Sequence, residues 1–258
     1  MITFSIITCT YNAERELKTT LDSVMMQDFR NVEHIIIDGA SKDSTVAIAQ
    51  QYKEKSDADD NGHTVIICSE PDNGLYDAMN KGIEKANGDY VCFLNAGDTL
   101  PDRDTLEMIA DGVADGEDLP AVLYGDTDIV DEQGHFVRHR RLKPSEDITW
   151  RSFRQGMLIC HQAFYARTDI AKCIPYDLKY RYSADVDWCI RIMKESERHH
   201  LSLRYIDAVI ANFRQGSMTT VNHRASLKER FNIMCRHYGV ITTLAMHVWF
   251  VIRSFFKK

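Results

Sequence analysis

The chain has no GxGxxG after its first apolar run and no GxxxxGKS or GxxxxGKT anywhere. Neither a dinucleotide fingerprint nor a P-loop is therefore available to cradle phosphates. Paired cysteines are missing too. The seven thiols, at 9, 68, 92, 160, 173, 189 and 235, are odd in number and form no CxxC, and several lie inside apolar runs. Buried, reduced thiols are expected, which suits a cytoplasmic compartment better than a secreted one. Positive charge is in deficit, with 31 Lys and Arg against 38 Asp and Glu for a formal net charge of -7. That balance argues against nucleic acid as a partner. The opening MITFSIITCTYN lacks a basic segment followed by a long apolar core, so it reads as a strand rather than a signal peptide.

What is present suffices for a substantial core: 258 residues, 44% of them hydrophobic. Ile2 to Thr10 is apolar and β-branched, and Leu17, Leu21, Val24 and Met25 follow at helical spacing. The unit recurs, with VEHIIID (32–38) before STVAIAQQYKEK, HTVIICS (63–69) before LYDAMNKGIEKA, and DYVCFLN (89–95) before DTLEMIADGV. This alternation predicts a parallel sheet covered by helices, with ligands at the carboxyl ends of its strands. SDADDNGH (56–63) reads as an exposed loop.

After Pro120 the pattern becomes mixed. AVLYGDTDIV and HFVRHRRL flank a turn at 132–134 and predict a hairpin, with RHRR (138–141) as a solvated basic run. Ala184 to Glu197 carries Val186, Ile190 and Met193 at helical spacing, LSLRYI (201–206) is a strand candidate, and NFRQGSMTTVNHR (212–224) reads as a loop. In VITTLAMHVWFVIRSFF (240–256), Thr243, His247 and Ser254, with Lys258, would form one narrow polar stripe on an otherwise apolar helix. His247 and Arg253 suit it poorly to spanning a bilayer. Three readings stay open: lying in the membrane interface with Lys257 and Lys258 near phosphates, packing on the domain, or pairing with a second subunit.

Polar groups gather where the first four strands should end: Thr8, Tyr11 and Asn12, then Asp38, Ser41 and Asp43, then Glu70, Asp72 and Asn73, then Asn95 and Asp98. Any one set could cap the helix that follows. A parallel sheet brings all four to one edge, where clustered carboxylates call for a cation or a donor-rich ligand. Oxygen ligands with no His or Cys in metal-ligand spacing point to Mg2+ or Mn2+. Magnesium keeps waters and takes phosphate oxygens, so Asp98 could suffice as its protein ligand.

The series SIITCTYNAE, IIIDGASKDST, SEPDNGLYDAMNKGIEKANGDYVCFLNAGD and SADVDWCIR resembles the family 2 glycosyltransferases over roughly residues 1–215. PDNGLYDAMNKGI with LNAGD and CHQAFY is also similar to bacterial enzymes that build colanic acid, capsule or O-antigen polysaccharide. The resemblance implies the GT-A fold, a Rossmann-like, mainly parallel central α/β sheet flanked by helices. Its nucleotide-sugar half would cover about 1–100 and its acceptor half about 101–215, with a C-terminal helical extension over 216–258. It implies an inverting, metal-dependent transferase at the inner face of the plasma membrane. The donor would be a nucleotide sugar, UDP by default with GDP and dTDP open, and the acceptor a saccharide or lipid-linked saccharide hydroxyl. The alternatives are a non-catalytic nucleotide-sugar binding protein and, less well matched because a GxGTR-like loop is missing, a sugar nucleotidylyltransferase.

By the same resemblance Thr8, Tyr11, Asn12 and Glu14, with Asp38 and Ser41, would hold the base and ribose. Asp72 and Lys81 would line the nucleotide and diphosphate region. Asp38 could instead cap its own turn, and Lys81 could be a solvated helix lysine. The family's DxD-like triplet is kept only in part: Asn95, Ala96 and Gly97 would help place the donor while Asp98 holds the metal. Asp185 is the expected base, with Ala184 where the family commonly has Glu, and a helix N-cap is its other open role. Asp187 is the second candidate for the base or an acceptor-side group, with orienting the site or forming a salt bridge as its other open roles. His161 and Gln162 are expected near the acceptor or donor sugar, and Arg214 or His223 on a loop closing over the diphosphate.

Overall fold

The computed structural model describes residues 2–113, 118–216 and 223–255. Strands and helices alternate first, as β1 (Phe4–Thr10), α1 (Leu17–Met25), β2 (Val32–Asp38), α2 (Thr45–Asp59), β3 (Thr64–Ser69), α3 (Leu75–Lys85), β4 (Tyr90–Phe93) and α4 (Thr105–Asp111). β1 pairs in parallel with β2 and β4, and β2 with β3. Every residue of β1 and β2 is buried, as parallel strands covered on both faces require. α3 can lie close on β1 because residue 82 is glycine: a Cβ there would meet Ile7 Cγ2 at 2.4 Å.

The second half completes the sheet with β5 (Val122–Val130), β6 (Phe136–His139), β7 (Phe164–Arg167) and β8 (Leu203–Arg214), in the order β3-β2-β1-β4-β7-β5-β6, with β8 also paired to β5. β7 is antiparallel to both β4 and β5, so the sheet changes direction immediately beside β4. Two 3-10 turns, Trp150–Gln155 and His161–Ala163, precede β7. α5 (Thr168–Cys173) and α6 (Ala184–Arg198) follow it, and α7 (His223–Tyr238) and α8 (Val240–Phe255) close the described chain.

Three local expectations change. The segment expected as a loop at 56–63 is helical as far as Asp59, and the chain then turns through left-handed Asp60 and Gly62. β8 runs on to Arg214, so Asn212 to Arg214 are strand rather than loop. In the basic run, Arg140 is not solvated: its guanidinium donates to the carbonyls of Leu142, Met157 and Leu158. The polar stripe of α8, where described, faces inward. Thr243 is fully buried and His247 meets Phe231 edge-on at 5.1 Å, whereas Ile241 is 86% exposed, Val248 60% and Trp249 52%. Ser254's side chain and Lys258 lie outside the described residues. Among the described residues no helix is long and apolar enough to cross a membrane.

Candidate active site

The loops after β1 and β2 are zipped together by their own polar groups. Asn12, in the left-handed region at φ 49°, accepts from Lys42 N through Oδ1 and donates its own N–H to Ser41 Oγ, both at 2.8 Å. Glu14 accepts from Ser44 N at 3.0 Å, and Asp43 from Glu14 N at 3.2 Å. Asp38, 1% exposed, accepts from Ser41 N at 2.9 Å, from Ser69 Oγ at 2.6 Å and from the Ser41 hydroxyl. Its carboxylate therefore caps the turn and ties β2 to β3, the alternative role foreseen for it.

Tyr11 and Asp72 approach Gly39 above this floor. At Gly39 a Cβ would lie 2.6 Å from Asp72 Oδ2 and 3.3 Å from the Tyr11 ring. Glycine there lets an exposed aromatic face and a carboxylate converge, an arrangement that can stack a base and accept from its N–H or from a ribose hydroxyl. Two expected members are engaged elsewhere. Thr8 is fully buried, donating to Leu94 O at 2.8 Å and paired with His34 Nε2 at 3.0 Å. Lys81 clamps the chain before α3 by donating to Pro71 O at 2.8 Å and pairing with Glu70 at 2.9 Å.

At the end of β4, Thr20 of α1 organises the turn, accepting from Gly97 N and donating to Asp98 O, each at 2.8 Å. Asp98 is 5% exposed and points inward: Oδ2 accepts from Gln162 Nε2 at 2.7 Å and Oδ1 from Arg214 N at 3.0 Å. Burial pushes its carboxyl up to about 7 against these bonds and the Arg214 charge. Gln162, itself buried, also accepts from the Cys160 thiol and thus braces Asp98. His161 stacks on Phe93 with ring centroids 4.9 Å apart, and its Nε2 is paired with the Tyr176 hydroxyl. Burial lowers it to about 4, with the Asp185 charge opposing, so the ring is neutral near pH 7. Both residues are packed inside the fold and do not reach its surface.

Asp185 sits in the first turn of α6 and is not its N-cap; Ser183 is, and the three N–H groups of Arg181, Tyr182 and Ser183 are taken by Glu229 of α7. The Asp185 carboxylate, half-buried, instead accepts from Tyr76 Oη at 3.1 Å, so α3 reaches the first turn of α6. Burial, then the Asp185 charge, holds the Tyr76 phenol protonated. Asp187 points the other way. Its carboxylate has no exposed surface and is clamped by Arg191 at 2.6 Å and His237 at 2.8 Å, with Arg236 at 3.6 Å, which ties it to α7. His223 begins α7, and its side chain lies outside the described residues.

Tyr76, Thr20 and Glu229 were not singled out from sequence. Tyr76 lies inside PDNGLYDAMNKGI but reads as an apolar-face helix position, and it is buried with its hydroxyl on Asp185.

The sequence pattern of Glycosyl transferase family 2 matches residues 5–174. The chain belongs to that family. It is 34% identical over 229 residues to a PGL/p-HBAD biosynthesis glycosyltransferase of Mycobacterium tuberculosis, covering 87% of this chain and 82% of that one. It is 31% identical over 202 residues to the amylovoran biosynthesis glycosyltransferase AmsB of Erwinia amylovora, covering 75% of this chain and 64% of that one. Among solved structures, S. aureus TarS 1-349 in complex with UDP-GlcNAc superimposes with a TM-score of 0.70 at 17% identity, covering 100% of this chain and 74% of that one. The mannosyltransferase PcManGT of Pyrobaculum calidifontis, in complex with GDP-Man and Mn2+, gives 0.64 at 16% identity, covering 95% and 74%. The fold of this family 2 transferase is therefore GT-A.

A divalent ion, as in the Mn2+-bound neighbour, does not fit the turn as it stands. Asp98 offers no exposed oxygen edge, each of its oxygens already takes an N–H, and Asn95 and Gly97 add no charge. Among the described residues no group of three or more His, Cys, Asp or Glu could hold a metal ion. Asp98, expected as the metal ligand, has both carboxylate oxygens turned into the protein, one to Gln162 and one to Arg214 N.

Proposed function

We infer that this family 2 member is an inverting glycosyltransferase that moves a sugar from a nucleotide sugar, with UDP the expected nucleotide, to a hydroxyl of a saccharide or lipid-linked saccharide in bacterial surface glycan assembly. The observation that carries the reading is Asp185: a half-exposed carboxylate free of capping duty and oriented by α3 through Tyr76. Its setting supports general-base work, taking the acceptor proton as the acceptor oxygen bonds to the anomeric carbon. The bond from that carbon to the diphosphate oxygen breaks at the same time, and its electron pair leaves with the nucleoside diphosphate. One displacement from the face opposite the leaving group inverts the anomeric centre. Tyr11 and Asp72 over Gly39 support a nucleotide beside them, and no step of this reading runs through a metal ion.

The acceptor is read as membrane-borne. α8 turns Ile241, Val248, Trp249 and Val251 outward, and a cavity of about 540 Å³ beside it is lined by Arg154, Gln155, Met246 and Trp249. Apolar side chains next to a guanidinium suit an interfacial helix on an anionic lipid surface. The nucleotide reading is tested by a thermal-shift screen of UDP-, GDP- and dTDP-sugars. A true donor raises the melting temperature in a concentration-dependent way, and no shift from any donor would overturn it.

A further inference from the structure

The turn at Asn95 to Asp98 has a cation of its own. Gly97 adopts φ 99°, and a Cβ there would meet Arg214 Cδ at 2.9 Å and Nη1 at 3.1 Å. The Arg214 side chain thus fills the space that any side chain at the third position of the triplet would need. Its backbone is fixed, since Arg214 N donates to Asp98 and Gln215 N to Val130 O, each at 3.0 Å.

The guanidinium itself is only loosely held. Nη1 lies 3.4 Å from Glu16 Oε1, in a pair whose side chains are 23% and 30% exposed. Arg214 Nε and Asn95 Oδ1 are both buried and have no partner among the described residues. A guanidinium carries five donors in a rigid fork matched to phosphate oxygens, and a buried donor or acceptor left unpaired is destabilising until a ligand satisfies it. An orphan donor and an orphan acceptor at one turn fit a ligand presenting both anionic oxygens and a hydroxyl.

We propose that Arg214 is the diphosphate-binding cation of this transferase, neutralising in place the charge that a divalent ion would otherwise meet. On ligand entry the guanidinium exchanges Glu16 for phosphate oxygens, forming two N–H···O bonds where it had one loose ion pair. The same group then faces the charge that grows on the diphosphate as the glycosidic bond breaks. The proposal rests on the nucleotide-sugar reading of the site.

The test is calorimetric titration of the full chain with UDP, GDP and dTDP, and with their nucleosides, in EDTA and in MnCl2. For the nucleotide that binds, the diphosphate affinity should change by less than about threefold between the two buffers. Arg214→Ala should weaken the diphosphate by about tenfold or more while leaving the nucleoside within about twofold, and Arg214→Lys should restore part of the loss. Diphosphate binding that falls about tenfold in EDTA, or an Arg214→Ala protein that binds as tightly as wild type, overturns the proposal and leaves the nucleotide reading standing. If neither diphosphates nor nucleosides bind in any buffer, both fall together. Should Arg214→Ala fail to fold, the EDTA comparison on wild type and the Arg214→Lys affinity decide.

Discussion

Gln162 Nε2 donates to Asp98 Oδ2 across 2.7 Å, joining the turn after β4 to the 3-10 turn at His161–Ala163. Because burial holds the Asp98 carboxyl up at about 7, against an ordinary 3.8, the folded state binds this proton more tightly than the unfolded one. The stability it contributes is complete below the ordinary value and is lost as pH rises through about 7. Asp98→Asn removes the titration. Melting curves taken between about pH 4 and pH 8 should therefore show wild type gaining on the variant as pH falls. Parallel curves would show that Asp98 is not held in this way.

Tyr76→Phe deletes one hydroxyl and leaves the ring, stacked on Tyr176 at 5.4 Å, in place. A hydrogen bond to a charged group contributes about 1.5–3 kcal/mol, so kcat should fall roughly ten- to a hundredfold with the donor KM unchanged. A KM effect with kcat intact would mean that Tyr76 shapes the donor pocket rather than orienting Asp185.

Asp187→Asn tests the opposite assignment for the neighbouring carboxylate. Burial alone would raise its pKa, but the His237 and Arg191 bonds outweigh that and hold it below the usual range. Removing the charge strands Arg191 and Arg236, at a cost of about 3 kcal/mol in urea unfolding, the lower end of the range for buried pairs because both arginines are partly exposed. Transfer activity per folded molecule should survive. A stable but inactive variant would make Asp187 the base.

The exposed face of α8 is tested with vesicles containing anionic lipid. Wild type should co-sediment and Trp249→Ser should do so several-fold less, the ring being half exposed at the edge of the Arg154 cavity. Wild type that ignores vesicles and elutes as a dimer would assign the face to a second copy of the chain.

The parallel half of the sheet was legible because β1 and β2 are short runs rich in β-branched residues, and β1 is followed by apolar residues at helical spacing. β7 was not, since four residues, FYAR, are too short to show a period. Tyr11 and Asp72 meet at Gly39, as their strand-end positions predict, but a strand end does not set side-chain direction. Thr8 and Asp98 both turn into the protein, towards His34 and Gln162, partners separated from them by 26 and 64 residues. The role of Asp187 depended on α7, whose packing against α6 no local pattern announces. Tyr76 was hidden because a core-facing tyrosine and a tyrosine that orients a carboxylate have the same sequence periodicity.

Asp185 is tested most directly by the transfer rate of Asp185→Asn, from the donor that stabilises wild type to a lipid extract containing the natural acceptor. A general base contributes about 10²–10⁴-fold, so transfer should fall by about a thousandfold while donor affinity stays within about twofold. A folded Asp185→Asn protein that transfers within about tenfold of wild type would contradict the account.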